Sequence, residues 1–195
     1  KPENVIKTLK MASNIGLQRT WRQVEEKRDT AHPTGYSAAG IIVEVGGKVV
    51  DLLPGDRVAC AGAQYAHHAE YIRVSENLCV PIDPRLDWDS AATVTLGAIA
   101  MQGVRRAQPS LGETFAIIGL GVLGQLTAQI LKVNGCRVIG IDIDRERIET
   151  ARMFGMDHGH HPEDVDSDQA ARLTNGYGVD GVIITAATPS DKLVS

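Results

Sequence analysis

The spacing of apolar residues changes twice along the 195-residue chain. Residues 1–28 repeat apolar side chains at helical intervals with a break near Gly16, which predicts two short amphipathic helices. From residue 38 to about 82 the pattern becomes short β-rich runs separated by turn signals. These runs are IIVEV, RVAC, EYIRV and LCVPI. Their spacing predicts a small β-barrel or sandwich.

A helical stretch, AATVTLGAIAMQGVRRA, follows, and Asp89 or Ser90 can cap it. Its small apolar residues indicate a helix that is buried on most sides and links two domains. After residue 112, strands such as TFAII, RVIGI and VDGVIIT alternate with helices. Asp144 can cap the second of these helices, and Gly155 follows its end. The alternation predicts a parallel sheet with right-handed crossovers, of which residues 112–195 supply about four strands.

Composition and charge exclude several classes of protein. Twenty Lys and Arg against twenty-four Asp and Glu leave a net charge of −4, so no basic field exists to collect nucleic acid. No apolar run approaches the ~18–20 residues that span a bilayer, and the first residues do not resemble a signal peptide. We expect a cytoplasmic protein with no membrane or nucleic-acid partner. Cys60, Cys79 and Cys136 suit buried thiols better than a disulfide framework.

Three glycines form the pattern G-x-G-x-x-G after the strand TFAII and at the start of the next helix. Gly119 permits a tight turn, Gly121 lets the backbone approach a pyrophosphate, and Gly124 lets helix and strand pack closely. The free N–H groups at the helix N-terminus suit negative phosphates. We therefore predict a dinucleotide-binding loop made of Gly119, Gly121, Val122, Leu123 and Gly124.

An acidic residue, Asp142, ends the second strand of this region. A carboxylate there can accept hydrogen bonds from the adenosine ribose and would repel a 2′-phosphate, so NAD is favoured over NADP. A methyltransferase that binds S-adenosylmethionine also has a glycine loop and such an acid. Such a methyltransferase would carry a further acidic residue at the end of the first strand, where this chain has Ile118. A glycine-rich turn that binds nothing is the other alternative.

Longer motifs carry a family resemblance. GYSAAGIIVEVG, LLPGDRVACAG and HAEYIRV resemble the barrel-like catalytic domain of the medium-chain dehydrogenases/reductases, the superfamily of alcohol dehydrogenases and quinone reductases. AATVTLGAIAMQGV resembles the linking helix of that superfamily, and residues 116–155 resemble its coenzyme domain. The first half is most similar to the dehydrogenase half of bi-domain oxidoreductases, which is fused to a domain of the glucose-fructose oxidoreductase or inositol dehydrogenase type.

The resemblance implies an α/β protein with a GroES-like β-barrel and a partial Rossmann doubly wound sheet. We expect a helical segment at residues 1–29, an incomplete GroES-like domain with its linking helix at 30–106, and a truncated Rossmann domain at 107–195. The chain is then expected to be a piece of a larger enzyme. A homo-oligomer and a fused C-terminal oxidoreductase domain are both left open.

Two zinc sites of the superfamily have lost their ligands. Zinc-dependent members carry Gly-His-Glu before the first barrel strand of this region, and this chain has Gly35, Tyr36 and Ser37 there. A further cysteine that binds the catalytic zinc would align near residues 95–97, which include no thiol. The lobe that binds a structural zinc through four cysteines would fall where only Cys60 occurs. Zinc needs three or four converging ligands. We therefore predict no metal site and no zinc.

Without a metal, hydrogen bonds or a general acid must polarise the substrate carbonyl. Tyr36 takes the lost ligand position, and its phenol could reach a substrate oxygen; a tyrosine packed under the barrel is the alternative. His68 lies in a loop with Tyr65 and His67 and could shuttle a proton, or it could be structural or solvated. Three further histidines, in DHGHHPED, are predicted to lie in a solvated loop after the third coenzyme-domain strand.

The end of the last strand adds residues by resemblance. Thr185, Ala186 and Ala187 would line the nicotinamide side, because ligands lie beyond the carboxyl ends of parallel strands. Arg145 and Arg147 would flank the adenine or soften the preference for NAD, unless they belong to a solvated helix face.

Two hypotheses follow from these residues. The first is a zinc-independent, NAD(H)-dependent oxidoreductase that acts on a carbonyl or alcohol substrate, with a sugar or sugar nucleotide suggested by the bi-domain resemblance. The second is a dinucleotide-binding or scaffolding module of a larger oxidoreductase, without turnover of its own.

Overall fold

A computed structural model describes Gly16 and residues 34–187 of the chain. The predicted helices of residues 1–28 lie outside the described residues. The described strands are β1 (Ser37–Ile41), β2 (Arg57–Ala61), β3 (Cys79–Pro81), β4 (Thr114–Ile118), β5 (Arg137–Ile141), β6 (His158–His160) and β7 (Gly181–Ile184). The described helices are α1 (Trp88–Ala92), α2 (Val94–Ala107), α3 (Val122–Val133), α4 (Arg145–Met153) and α5 (Ser167–Leu173). None of these helices is long and apolar enough to cross a bilayer.

The first half forms an antiparallel sheet in the order β1-β2-β3. Its core contains Leu52, Val58, Cys60 and Ala66. The predicted strand RVAC is confirmed as part of β2, but β1 begins four residues before the run IIVEV and includes only its first residue. The predicted strand EYIRV is wrong, because Ile72 and Val74 pack against the core without joining a ladder among the described residues. The closed barrel stays a prediction.

The predicted linking helix is two helices, α1 and α2, separated at Thr93. Its cap is Asp87 rather than Asp89 or Ser90, because the Asp87 carboxylate accepts the Ser90 N–H at 2.8 Å. The expectation that this stretch is buried on most sides is wrong. In α2, all of which is described, only Ala100 and Val104 are buried. The helix packs along one stripe, so its other faces stay exposed.

The second half forms a parallel sheet in the order β6-β5-β4-β7. The four expected strands and the Rossmann-type arrangement are confirmed. The chain moves outward from β4 through β5 to β6 and then returns to the other side of β4 with β7. The strand order therefore reverses between β4 and β7, where ligands of such sheets bind. Ile117, Leu120, Leu131 and Val138 form the fully buried centre of this half.

The helix ends in this half follow the predicted signals. The Asp144 carboxylate accepts the Glu146 N–H at 3.0 Å and caps α4. Gly135 and Gly155 follow the ends of α3 and α4 with φ values of +83° and +98°, a region that glycine enters without steric cost. The histidine-rich segment differs from expectation, because His158 and His160 form β6 instead of a solvated loop. Gly159 allows this, since a Cβ there would lie 2.6 Å from both Ile148 and Met156.

Asp157 ties α3 to the start of β5. Its carboxylate accepts Lys132 Nζ at 2.8 Å and the Val138 N–H at 2.7 Å. Burial alone would raise the pKa of Asp157, but these hydrogen bonds outweigh it and hold the pKa below its ordinary value.

We expect Asp157→Asn to lower the free energy of unfolding by about 1–2 kcal/mol at pH 7, because the charged acceptor is lost. A depressed folded-state pKa contributes stability above the unfolded pKa of about 3.9, and that contribution is lost as the pH falls through the folded value. Urea unfolding at pH 7 and pH 3 should therefore show a difference between wild type and variant that shrinks at pH 3. An equal difference at both pH values would contradict the assigned ion pair.

Candidate functional site

The glycine loop lies directly after β4, at the point where the strand order reverses. Gly119 has a φ of +95°, and a Cβ added to it would lie 2.7 Å from the Ala186 backbone nitrogen. Its N–H donates to the Ile141 carbonyl of the neighbouring strand at 2.8 Å. Both the positive φ and the close backbone exclude any side chain at this turn.

Gly121 and Gly124 meet opposite surroundings. Gly121 precedes the first residue of α3, and beyond its two chain neighbours a Cβ on it would come within 4 Å of only one described atom, Arg147 Nη1 at 4.0 Å. A Cβ on Gly124 would collide with the Gly119 carbonyl oxygen and lie 3.0 Å from Thr185 Oγ1. Gly124 therefore closes the loop against the strands, whereas Gly121 presents its backbone to open space.

The helix that follows the loop begins without a side-chain cap among the described residues. The N–H groups of Val122, Leu123 and Gly124 form its first turn. The first N–H groups of an α-helix have no partner within the helix and carry its positive dipole end. Together with the open space at Gly121, this turn fits an anionic group such as a pyrophosphate.

Asp142 is buried at the carboxyl end of β5, with 7% of its surface exposed. One carboxylate oxygen accepts the Leu120 N–H of the glycine loop, and the other accepts the Asp144 N–H at 2.8 Å. The predicted ribose acceptor therefore also fixes the loop to the turn after β5. The sequence carries no signal for the contact with Leu120, because it joins the loop after β4 to the residue that follows β5.

The end of β7 completes the site. The Thr185 and Ala186 N–H groups donate to the Ile118 carbonyl at 2.9 and 3.0 Å, and the Thr185 hydroxyl donates to the Gly119 carbonyl. Ala187 follows as an exposed residue. The structure thus brings two of the three predicted nicotinamide-side residues, Thr185 and Ala186, against the glycine loop.

Gln125 is a residue of this site that the sequence motifs do not reveal. Its side-chain amide donates to the Leu120 carbonyl at 3.0 Å and to the Arg147 carbonyl at 2.8 Å, so it bridges the glycine loop and α4. The two arginines of that helix differ. Arg147 pairs with Asp144 at 3.2 Å, beside the loop, whereas Arg145 pairs with Asp164 at 2.8 Å.

The two predicted catalytic residues lie on adjoining segments of the first half. The His68 imidazole packs on Gly35, where an added Cβ would lie 2.7 Å from its Nε2, and the His68 N–H donates to the Thr34 carbonyl at 2.8 Å. Tyr36, the next residue after Gly35, is 42% exposed. Beside them, His67 has a buried Nδ1 without a hydrogen-bond partner among the described residues.

The described residues contain no group of three or more His, Cys, Asp or Glu side chains that could hold a metal ion. What the structure does bring together is a parallel sheet, a glycine loop at its switch point and a carboxylate at the end of the neighbouring strand. These features define the Rossmann class of nucleotide-binding folds.

Comparisons with known proteins give the same class. Residues 122–192 match the family model described as zinc-binding dehydrogenase. An alcohol dehydrogenase of Geobacillus stearothermophilus is 28% identical over 182 residues, which cover 79% of this chain and 54% of the relative. D-guloside 3-dehydrogenase of Escherichia coli is 31% identical over 163 residues, which cover 83% of this chain and 46% of the relative. A mycobacterial protein solved in complex with NADPH superimposes with a TM-score of 0.67 at 26% identity. The match covers 76% of this chain and 48% of the mycobacterial chain.

The chain belongs to the medium-chain dehydrogenase/reductase superfamily. It spans about half the length of the relatives that it matches.

Proposed function

We propose that the protein is an NAD(H)-dependent oxidoreductase that transfers a hydride to or from a carbonyl or alcohol substrate. The observation that carries the proposal is Asp142, whose buried carboxylate directly follows β5 and holds the glycine loop through Leu120. A carboxylate at this place is suited to the ribose hydroxyls of NAD and repels the 2′-phosphate of NADP. The mycobacterial relative was solved with NADPH, so it does not support a preference for NAD. The proposed preference for NAD over NADP therefore rests on the residues of this chain alone.

The residues of the site fit such a cofactor. The open backbone at Gly121 and the first turn of α3, from Val122 to Gly124, would hold the pyrophosphate. Thr185, Ala186 and Ala187 would border the nicotinamide side, and Arg147 would lie near the adenosine. When bound, the nicotinamide supplies or accepts the hydride.

We propose that the reaction needs no zinc. Gly35, Tyr36 and Ser37 stand where zinc-dependent members carry Gly-His-Glu, and the family match to zinc-binding dehydrogenases begins only at residue 122. The phenol of Tyr36 would donate a hydrogen bond to the substrate oxygen, and His68 beside Gly35 would relay the proton. The exposure of Tyr36 supports this role, because part of the residue is open to an approaching molecule.

The substrate class is also a proposal. The E. coli relative is named for a guloside, which agrees with the sugar or sugar nucleotide suggested by the bi-domain resemblance. The division at about residue 106, the cytoplasmic location, a homo-oligomer and a fused C-terminal oxidoreductase domain stay predictions.

Titration of the purified chain with NADH and NADPH, followed by nicotinamide fluorescence, tests the cofactor proposal. We expect saturable NADH binding at least about tenfold tighter than NADPH binding, a difference of ~1.4 kcal/mol. A folded sample that binds neither, or that prefers NADPH, would overturn it. Metal analysis, together with activity assays on a panel of sugar carbonyl and alcohol substrates, then distinguishes an enzyme from a binding or scaffolding module. These assays use the full-length protein. Metal-free turnover supports the enzyme, and binding without turnover supports the scaffolding alternative.

A further inference from the structure

Two cysteines face each other across the first sheet. Cys60 in β2 is in register with Cys79 in β3. The Ile82 N–H donates to the Arg57 carbonyl, so these two residues form a hydrogen-bonded pair of the ladder. Antiparallel pairs alternate, which makes Val58 and Pro81 a non-hydrogen-bonded pair, in agreement with the missing N–H of proline. By the same alternation, Cys60 and Cys79 form a non-hydrogen-bonded pair.

This type of pair brings two thiols into bonding range. In a non-hydrogen-bonded pair the Cα atoms lie about 4.5 Å apart, within the ~4.4–6.8 Å that disulfides span. The two Sγ atoms are 3.7 Å apart, and all three described cysteines are free thiols. Closing this gap to a bond needs side-chain rotation and little movement of the backbone.

The two thiols differ in access. Cys60 is 7% exposed, whereas Cys79 is half-buried beside a groove of about 1200 Å³ that both residues line. Burial, and then the hydrogen bond with Cys79, raise the pKa of the Cys60 thiol to about 12. A dissolved oxidant would therefore meet Cys79 first, with Cys60 held behind it as the second thiol.

We propose that Cys60 and Cys79 are a redox-active dithiol that closes to a cross-strand disulfide by exchange with a low-molecular-weight disulfide. This proposal does not depend on cofactor binding. The Cys79 thiolate attacks one sulfur of glutathione disulfide, forming a mixed disulfide and releasing one glutathione thiol. Cys60 then attacks the Cys79 sulfur as its proton passes to the departing glutathione thiolate, which leaves as the second glutathione thiol. The protein loses two hydrogens, and one glutathione disulfide becomes two thiols.

The disulfide would close the segment that connects β2 and β3. That segment carries Tyr65, His67 and His68. A bond at its base would restrain the loop in which the proposed proton relay lies, so oxidation would act on the first half of the molecule without touching the glycine loop.

The test uses the folded wild-type chain, incubated without denaturant in glutathione disulfide and then quenched with acid. Thiol titration should fall from three to one per chain, and peptide mapping should join residues 60 and 79 and leave Cys136 free. The melting temperature should rise by roughly 5–10 °C on oxidation and return after reduction. Cys136→Ser is the matched control, because it removes a buried thiol of the other half. Its thiol count should fall from two to zero on oxidation, again a loss of two, and its melting temperature should rise by the same amount as that of the wild type.

Two single variants test the order of the steps. Cys60→Ser should stop at a glutathione adduct on Cys79, and Cys79→Ser should show neither adduct nor disulfide at position 60. Three thiols that persist in the wild type, or a bond that involves Cys136 or a second chain, would overturn the proposal. Because the decisive measurement is on the wild type, it holds even if a variant folds poorly. Loss of NADH binding would not affect it.

Discussion

Gly121→Ala should lower the affinity for NADH at least about tenfold, while the chain keeps nearly all of its stability. The added methyl group would project into the open space that the pyrophosphate must enter, where the closest described atom is Arg147 Nη1 at 4.0 Å. Gly121 precedes α3 with a φ of −66°, which alanine adopts, so the cost to folding is that of a weaker helix cap, under ~1 kcal/mol. Fluorescence titration and thermal unfolding measure the two effects separately.

Gly124→Ala should behave in the opposite way and lower stability first. Its methyl group would collide with the Gly119 carbonyl oxygen, which is backbone and is itself held by the Thr185 hydroxyl. Forced overpacking of this kind costs ~1–3 kcal/mol, and the upper end applies where no flexible side chain can yield. For a chain of this size we expect a fall of the melting temperature by about 6–12 °C.

Gly103→Ala serves as the control for both variants. Gly103 lies within α2, and an added Cβ meets no described atom within 4 Å. The change should stabilise the helix by about 0.5–1 kcal/mol and leave NADH affinity unaltered. If Gly121→Ala bound NADH as tightly as wild type, the pyrophosphate would not lie at this loop.

The second half of the fold could be predicted closely because its signals are local. The Asp144 cap and the glycines after α3 and α4 depend on residues within a few positions of each helix end. The strand predicted at EYIRV is wrong for the opposite reason. A strand needs a neighbouring backbone to pair with, and an alternation of apolar and polar residues does not supply one. The small residues of α2 likewise permit close packing, but they do not determine what surrounds the helix.

The candidate site shows the same division. The spacing of Gly119, Gly121 and Gly124 is local, so their positions at a turn and a helix start could be predicted. The contact between Asp142 and Leu120, the bridge made by Gln125 and the register of Cys60 with Cys79 each depend on how distant segments meet. Such contacts leave no pattern in one sequence, because nothing in the spacing of residues records them.

Asp142→Ala should have the largest combined effect of any single change at this site. The carboxylate accepts the Leu120 and Asp144 N–H groups, and a hydrogen bond to a charged group contributes about 1.5–3 kcal/mol. Losing both, in a buried place, should lower the free energy of unfolding by roughly 3–5 kcal/mol. The variant should also narrow the ratio of NADH to NADPH affinity at least about tenfold, because it no longer repels a 2′-phosphate.

Asp142→Asn separates these two roles. Its amide keeps one oxygen that can accept a backbone N–H, so we expect it to lose about half as much stability as Asp142→Ala in urea unfolding. It removes the whole charge, however, so the ratio of NADH affinity to NADPH affinity should fall as far as in Asp142→Ala. Asp157→Asn is the matched control, since its carboxylate also accepts a backbone N–H, that of Val138 at the start of β5, and lies at the end of that strand away from the glycine loop. That control should lower stability and leave the ratio unchanged. If the ratio followed stability across the three variants, discrimination would come from the fixed loop rather than from the charge of Asp142.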